Sequence, residues 1–267
     1  MGAPIDPADQ RQLEGLLRRH HINLKHRLGQ NFLIDPALRD AIADASGVTK
    51  ADDVLEVGAG VGTLTTALAA LAGRVIAVEL DRDLIPALRE VVGELDNVEV
   101  VQGDILRLDV SGDVVVGNIP YNLTGALIRK LLDRPPRPRR LSFVVQKEVA
   151  DRWTASTGAS LATVAVQVFA DARTVMSIPA AAFTPIPRVD SALVILDVRP
   201  TPAIDVEDLD AFFRFVEALF QQRRKQLGGV LAGRGFRDMA RLGIDPRRRP
   251  QTLTLVEWEK LFRAVKS

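Results

Sequence analysis

Apolar residues in the middle of the chain occur in short continuous runs that alternate with helix-like segments. Val, Ile and Leu dominate seven such runs, which we predict to be β-strands at residues 54–57, 74–79, 98–101, 114–116, 141–145, 173–178 and 192–198. Helical spacing lies between them, at residues 63–72, 82–92, 124–132 and near 160–169. Apolar strands that alternate with helices are typical of a parallel sheet covered on both faces. The pattern therefore predicts a doubly wound α/β domain with a mostly parallel, seven-stranded sheet.

The two ends of the chain lack this alternation and are predicted to be helical. A helix over residues 8–20 and a second one that begins at Pro36, a favoured position for proline, form an N-terminal extension to about residue 50. Beyond a linker at residues 199–205, helical patterns cover residues 206–220, 223–232, 236–242 and 255–265. We expect a first domain over residues 1–199 and a small all-helical domain over residues 200–267.

Charge is divided unevenly between these parts. Residues 201–267 contain 13 Lys and Arg against 9 Asp and Glu, although the whole chain carries a net charge of only +1. Within residues 211–249 the count is 10 basic against 3 acidic. A local basic block on a near-neutral chain indicates a surface that faces a polyanion, although a block of this kind, taken alone, is more often a solvated charged face.

Composition excludes several classes of function. The chain has no cysteine, which excludes disulfides, thiolate zinc sites and a cysteine nucleophile. Its three histidines all lie within residues 20–26, so we expect no metal site. No apolar run approaches the roughly 20 residues of a membrane span, and the N-terminus lacks a signal pattern. We expect a cytoplasmic monomer without membrane association.

Three glycines follow the first predicted strand directly. Gly58, Gly60 and Gly62 lie between that strand and the next predicted helix, where glycines permit a tight turn and let backbone N–H groups approach a ligand. Glu79 ends the second strand, where a carboxylate can accept hydrogen bonds from two ribose hydroxyls. The loop and the acid together predict an adenosine-binding site at the carboxyl edge of the sheet.

Two points about this site stay open. The dinucleotide fingerprint G-x-G-x-x-G would place its last glycine at position 63, where the chain has Thr63, so an NAD-dependent dehydrogenase is a weak alternative. Asp104 follows the third strand and could bind an adenine amino group or cap the next turn.

The fourth predicted strand ends in the tetrapeptide Asn118-Ile119-Pro120-Tyr121. It resembles the motif of methyltransferases that act on exocyclic amino nitrogens, whose lone pair is delocalised into the ring. The Asn118 side-chain oxygen and the Ile119 carbonyl can accept the two amine N–H groups and localise that pair. Pro120 fixes φ and donates no competing hydrogen, and Tyr121 can stack on a flipped base. A turn without chemistry is the alternative.

Further segments occur in a fixed order along the chain. They are LGQNFL at residues 28–33, EVGAG at 56–60, NIPYN at 118–122, FVVQKEVADR at 143–152, FTPIPRVDS at 183–191 and FQQRRK at 220–225. Together they resemble the KsgA/RsmA family of ribosomal RNA adenine dimethyltransferases. The resemblance extends from about residue 26 to 262 and implies a Rossmann-like class I methyltransferase fold that uses S-adenosyl-L-methionine.

The resemblance implies a role for individual residues. The cofactor-binding residues would be Asn31, Leu33, Gly58, Gly60, Glu79, Asp104 and Asn118. The catalytic residues would be Asn118, Ile119, Pro120, Tyr121 and Phe183, with Phe183 stacking on the target base opposite Tyr121. RNA phosphate would meet Arg223, Arg224, Lys225 and Arg248.

The function that the resemblance implies is dimethylation of two adjacent adenosines in the 3′-terminal hairpin of small-subunit ribosomal RNA. The partner would be that RNA or the small ribosomal subunit itself, during subunit biogenesis. Two alternatives remain: a large-subunit RNA dimethyltransferase that confers antibiotic resistance, and a non-catalytic RNA-binding assembly factor.

Overall fold

The computed structural model describes residues 5–24, 30–119, 123–132 and 135–266. The chain divides into two compact units. The first comprises residues 1–150 and 173–198, and the second comprises residues 151–172 and 199–267. None of the helices in these described ranges is long and apolar enough to cross a membrane.

Nine strands and ten α-helices are described. The strands are β1 (Phe32–Leu33), β2 (Asp53–Val57), β3 (Arg74–Glu79), β4 (Val98–Gln102), β5 (Val114–Asn118), β6 (Arg140–Gln146), β7 (Ala170–Ile178), β8 (Phe183–Thr184) and β9 (Ser191–Val198). The helices are α1 (Gln10–Arg19), α2 (Pro36–Ala45), α3 (Thr63–Leu71), α4 (Ile85–Val92), α5 (Thr124–Leu132), α6 (Lys147–Trp153), α7 (Leu161–Phe169), α8 (Leu209–Phe220), α9 (Leu227–Ala232) and α10 (Leu255–Lys266).

Seven of these strands form one sheet in the order β4-β3-β2-β5-β6-β9-β7. The pairs β2–β3, β3–β4, β2–β5 and β5–β6 are parallel, whereas β9 runs antiparallel to β6. The predicted mostly parallel, seven-stranded sheet is confirmed. After β2 the chain adds β3 and β4 on one side and then crosses to β5 on the other. Ligands of such sheets bind where the strand order reverses, at the carboxyl ends of the strands.

Continuous apolar runs explain why the inner strands are buried on both faces. Val54, Val75, Val114 and Val116 lie in one core that also receives Leu68 from α3. At roughly 25 cal/mol per Å² of apolar surface removed from water, burial of such side chains is the main stabilising contribution.

The second unit has its own aromatic core. The rings of Phe169 and Phe213 stack at a centroid distance of 5.8 Å, and Phe212 packs edge-on against Phe262 at 5.5 Å. Helix α7 packs against α8 and α10. These contacts explain why residues 151–172 group with the C-terminal helices, whereas the sequence pattern places the boundary at residue 200.

Several predicted boundaries are wrong in detail. The helix predicted over residues 223–232 begins at Leu227, because hydrogen-bonded turns precede it. Only a 3-10 turn at Ala240–Leu242 represents the helix predicted over residues 236–242, and Gly243 ends it with a positive φ of 69°. The pattern of apolar positions does not predict β1, β8 or α6, since two-residue strands and a seven-residue helix leave little periodicity.

Candidate active site

The glycine loop between β2 and α3 adopts backbone conformations that other residues rarely tolerate. Gly58, Gly60 and Gly62 have φ angles of 75°, 61° and 95°. A Cβ at Gly62 would also approach Leu88 to 3.1 Å, and one at Gly60 would approach Phe32 to 3.2 Å. Left-handed backbone and close packing together account for the three glycines. The loop can therefore present its backbone to a ligand.

Glu79 fastens this loop to the end of β3. Its carboxylate accepts hydrogen bonds from the backbone N–H of Gly60 at 2.8 Å and of Asp81 at 2.7 Å. Burial raises the pKa of Glu79; those two backbone bonds oppose the rise and the charge of Asp81 adds to it. A carboxylate has about four acceptor positions, so two bonds leave capacity for a ligand's hydroxyl groups.

Asn118 connects the end of β5 with the segment before β1. Its side-chain nitrogen donates a hydrogen bond to the carbonyl oxygen of Asn31 at 2.9 Å. A carbonyl oxygen can only accept, so the amide nitrogen must face Asn31 and the amide oxygen must point elsewhere. Asn118 also lines the cavity described below.

The two-residue strands β1 and β8 bring distant segments together. They pair antiparallel, with Leu33 opposite Phe183, and the Ile34 N–H donates to the carbonyl of Ala182 at 2.8 Å. Phe183 is only 1% exposed and packs in the core with Leu33, while it also lines the cavity. The ring predicted to stack on a base is therefore part of the core as well as of the cavity wall.

Asp104 makes the contacts of a turn cap and also borders the cavity. Its side chain accepts a hydrogen bond from the Leu106 N–H at 3.0 Å and lies 3.5 Å from Arg107 in an ion pair. Asp104 also lines the cavity. A turn cap and a ligand-facing carboxylate are thus compatible here.

One cavity at the carboxyl ends of β2 to β5 unites these side chains. All seven residues predicted to bind a cofactor line it, as does Phe183. The other lining residues are Gln30, Phe32, Ile42, Glu56, Val57, Ala59, Thr63, Leu64, Val78, Leu80, Leu84, Gly103, Ile105, Leu123 and Val144.

Glu56 is a cavity residue that the sequence argument does not select. It is buried, and in the described part of the chain its Oε2 has no hydrogen-bond partner. Burial raises the pKa of Glu56 to about 7; the hydroxyl of Thr65 opposes the rise and the charge of Glu79 adds to it. The sequence signal for Glu56 is a charged residue within the apolar run over residues 54–57. Thr63, at the first position of α3, likewise has a buried hydroxyl without a partner among the described residues.

Two predicted catalytic residues, Pro120 and Tyr121, lie outside the described residues. Ile119 is buried, and its N–H donates to the carbonyl of Val144 at 3.0 Å. That bond fixes the peptide that follows Asn118.

The residues predicted to meet RNA differ in their surroundings. Arg223, Arg224 and Lys225 are exposed in the turn after α8. Arg248 is instead paired with Glu257, at 2.9 Å from its Nη2, and it holds the pKa of Glu257 below its ordinary value. Of the four, Arg248 has a clear structural role inside the second unit.

The sheet order, the glycine loop and the acid at the end of β3 define a Rossmann-like fold of the class I methyltransferase type. The family model for ribosomal RNA adenine dimethylase matches residues 21–266. The chain belongs to this family, which confirms the resemblance.

Individual relatives agree with this assignment. A Pelotomaculum thermopropionicum protein named ribosomal RNA small subunit methyltransferase A is 41% identical, with 92% of each chain covered. A Clostridioides difficile protein of the same name is 37% identical, with 94% of this chain and 93% of the relative covered.

Two solved structures also share the fold. A dimethyladenosine transferase from Plasmodium falciparum has a TM-score of 0.72 and 26% identity, over 86% of this chain and 95% of that one. The 23S rRNA methyltransferase ErmE has a TM-score of 0.70 and 28% identity, over 89% of this chain and all of that one.

Proposed function

We propose that this protein dimethylates the amino nitrogen of two adjacent adenosines in the 3′-terminal hairpin of small-subunit ribosomal RNA, with S-adenosyl-L-methionine as the methyl donor. Its relatives named for the small subunit support the substrate. The observation that supports the chemistry is the hydrogen bond from the Asn118 amide nitrogen to Asn31, at a residue that also lines the cavity. This bond leaves the amide oxygen, rather than the nitrogen, to accept from the target amine. We propose that the protein is a monomer and acts in the cytoplasm.

The residues of the cavity fit S-adenosyl-L-methionine. Glu79 can accept the ribose hydroxyls and Asp104 the adenine amine. The unpartnered oxygens of Glu56 and Thr63 suit the ammonium group at the zwitterionic amino-acid end, because a buried polar atom without a partner is costly and an ammonium N–H would satisfy it. When bound, the cofactor supplies an electrophilic methyl group on a sulfonium.

Asn118 and Ile119 would prepare the nucleophile. The Asn118 side-chain oxygen and the Ile119 carbonyl each accept one N–H of the target amine, which draws its nitrogen toward tetrahedral geometry. The hydrogen bond from the Ile119 N–H to Val144 fixes the peptide between Asn118 and Ile119, directly before the second acceptor. No strong base is required, since alkylation makes the nitrogen acidic and a proton then leaves to water.

A second transfer follows from the same geometry. After one methylation the amine retains a single N–H, so the amine must rotate and present that hydrogen to one of the two acceptors. Two acceptors therefore permit two successive transfers. Phe183 and Tyr121 would hold the flipped base between their rings, which limits its motion during rotation.

The exposed basic turn would contribute affinity for RNA. Arg223, Arg224 and Lys225 are consecutive and exposed to solvent, which suits contact with successive phosphates. The wider basic block over residues 211–249 supports this contact. Such contacts position RNA and carry no sequence information.

Calorimetry and nucleoside analysis test the proposal. We expect S-adenosyl-L-methionine to bind and NAD to leave no heat signal. After incubation with unmethylated small subunits, mass spectrometry of the digested RNA should reveal dimethyladenosine. Binding of NAD alone, or bound cofactor without any methylated nucleoside, would refute the proposed function.

The similarity to ErmE supports one second candidate, dimethylation of large-subunit RNA. The two activities differ only in acceptor, so the same assay with large subunits separates them.

A further inference from the structure

One large exposed apolar side chain lines the cavity, and two more follow closely after Phe183, a residue of the cavity wall. Five such residues occur in the described part of the chain: Leu80, Val175, Ile186, Val189 and Val256. Leu80 itself lines the cavity, and Ile186 and Val189 follow three and six residues after Phe183, which also lines it. Ile186 is 70% exposed, the largest fraction of the five. Single exposed apolar residues are ordinary, but a group beside a binding site indicates a contact surface.

The loop over residues 185–190 is held at both ends. On one side, β8 pairs with β1. On the other, the Asp190 side chain accepts the Ala180 N–H at 2.9 Å, and the Asp190 carbonyl accepts the Lys147 N–H at 3.0 Å. Pro185 and Pro187 fix two further φ angles. A loop that is already ordered loses little entropy on binding, so its exposed side chains suit a partner.

The chemistry of the loop favours nucleic acid as that partner. Ile186 offers an apolar surface, and the exposed Arg188 lies two residues further on. An unstacked base is stabilised by an apolar surface, and its phosphate is stabilised by a cation. A base and its phosphate belong to the same nucleotide, so a matching protein surface needs an apolar side chain close to a basic one. An adenosine that leaves its stack to enter the cavity exposes the face of the neighbouring base, and the loop begins two residues after Phe183 of the cavity wall.

We propose that the loop over residues 185–190 contacts the RNA strand next to the target adenosine. Ile186 packs on the base that the flipped adenosine has left, and Arg188 pairs with a phosphate of the same strand. This inference rests on the proposed function and adds a specificity-determining contact to it. It predicts that the loop affects the use of RNA and has no effect on the cofactor.

The test compares two matched pairs of variants. Ile186→Ser should weaken binding to protein-free small-subunit RNA about fivefold to tenfold and raise the KM for small subunits by a similar factor. Ile186→Leu keeps an apolar side chain, so its RNA affinity and KM should match those of the wild-type protein. Val189→Ser should weaken RNA binding, whereas Val175→Ser, which is exposed to a similar extent on β7, should leave it unchanged. Affinity for S-adenosyl-L-methionine should be equal in all variants.

Arg188→Gln supplies an independent measurement. It should lower the slope of log affinity against log salt concentration by about 1. Equal RNA affinity of Ile186→Ser and Val175→Ser, with an unchanged slope for Arg188→Gln, would overturn the inference and leave the proposed function intact. A loss of particle binding without a loss of RNA binding would assign the loop to a ribosomal protein and also overturn it. If the wild-type protein transferred no methyl group, the proposed function would fail first.

Discussion

The side-chain nitrogen of Asn118 lies 2.9 Å from the main-chain oxygen of Asn31, a residue 87 positions earlier in the chain. One hydrogen bond thus closes the segment before β1 over the end of β5. It also decides which way the amide faces, because only the nitrogen can donate. Under the proposed function, this bond orients an acceptor for the target amine before any ligand binds.

Replacement of Asn118 should remove this acceptor. We expect Asn118→Ala to lower the rate of methyl transfer at least about 100-fold, as the loss of an oriented hydrogen-bonding group at a reacting centre does. RNA affinity, measured by filter binding, should be almost unchanged. Asn97→Ala is the matched control, since that amide bonds the carbonyls of Ala69 and Ala72 away from the cavity. Comparable turnover in Asn118→Ala would refute the proposed amine geometry.

Glu79→Gln should weaken the cofactor site without a change in side-chain volume. The glutamine can accept from only one side and turns an amide N–H toward the other donor, so one of the two bonds to Gly60 and Asp81 is lost. We expect cofactor affinity to fall by about 10- to 100-fold by calorimetry. Glu99→Gln on neighbouring β4, where the carboxylate is exposed, should bind the cofactor normally. If Glu79→Gln bound the cofactor as tightly as Glu99→Gln does, Glu79 would have no role in cofactor binding.

The raised pKa of Glu56 predicts a pH dependence of stability. Between its ordinary value of 4.5 and about 7, the folded protein holds a proton at Glu56 that the unfolded chain has lost. Its contribution to stability is therefore complete at low pH and is lost as pH rises through about 7. Glu56→Gln has no charge to bury, so its free energy of unfolding relative to wild type should rise by up to about 3 kcal/mol over this window.

Urea unfolding of the ligand-free protein at about pH 5 and about pH 8 checks this prediction. Glu94→Gln, at an exposed position at the end of α4, should run parallel to wild type. If Glu56→Gln also ran parallel, the carboxyl of Glu56 would be ionised throughout, and the cavity would be more polar than its burial indicates.

Charge reversal at the turn after α8 tests the RNA contact. Changing Arg223, Arg224 and Lys225 to Glu should weaken RNA binding and lower its salt slope by about 2 to 3, because each lost phosphate contact removes about 0.9. A double variant with Arg223→Lys and Arg224→Lys keeps the charge and should keep the slope. An unchanged salt slope of RNA affinity in the charge-reversal variant would show that this turn is a solvated charged surface without RNA contact.

Arg248 should behave as a structural residue. Its guanidinium pairs with Glu257 and also bonds the side chain of Thr252 at 3.2 Å. We expect Arg248→Ala to lower the free energy of unfolding by about 1 to 2 kcal/mol in thermal melts. Arg247→Ala, whose exposed side chain pairs only with Asp245 among the described residues, should melt like wild type. A normal melt with reduced RNA affinity for Arg248→Ala would instead assign Arg248 to RNA contact.

The sheet and much of the cavity could be predicted because local sequence encodes them. Apolar runs predict the seven strands. A tight turn is predicted from the closely spaced glycines Gly58, Gly60 and Gly62, which adopt positive φ angles that favour glycine. Glu79 follows from its place at the end of a strand. Each of these features needs information from a few neighbouring residues only.

Features that depend on distant partners could not be predicted. Nothing near Asn118 indicates its bond to Asn31, and nothing near Arg248 indicates its pairing with Glu257. Residues 151–172 group with the C-terminal helices because of tertiary packing, such as Phe169 on Phe213. The raised pKa of Glu56 likewise depends on the burial of its surroundings.

Transfer of labelled methyl groups to three unmethylated acceptors, namely small subunits, large subunits and duplex DNA, distinguishes the proposed activity from its alternatives. With the nucleosides identified by mass spectrometry, we expect dimethyladenosine in the small subunit alone. Label in the large subunit would contradict the proposed substrate and favour the resistance activity. No label in any acceptor, despite tight RNA binding, would contradict catalysis and leave an RNA-binding assembly factor.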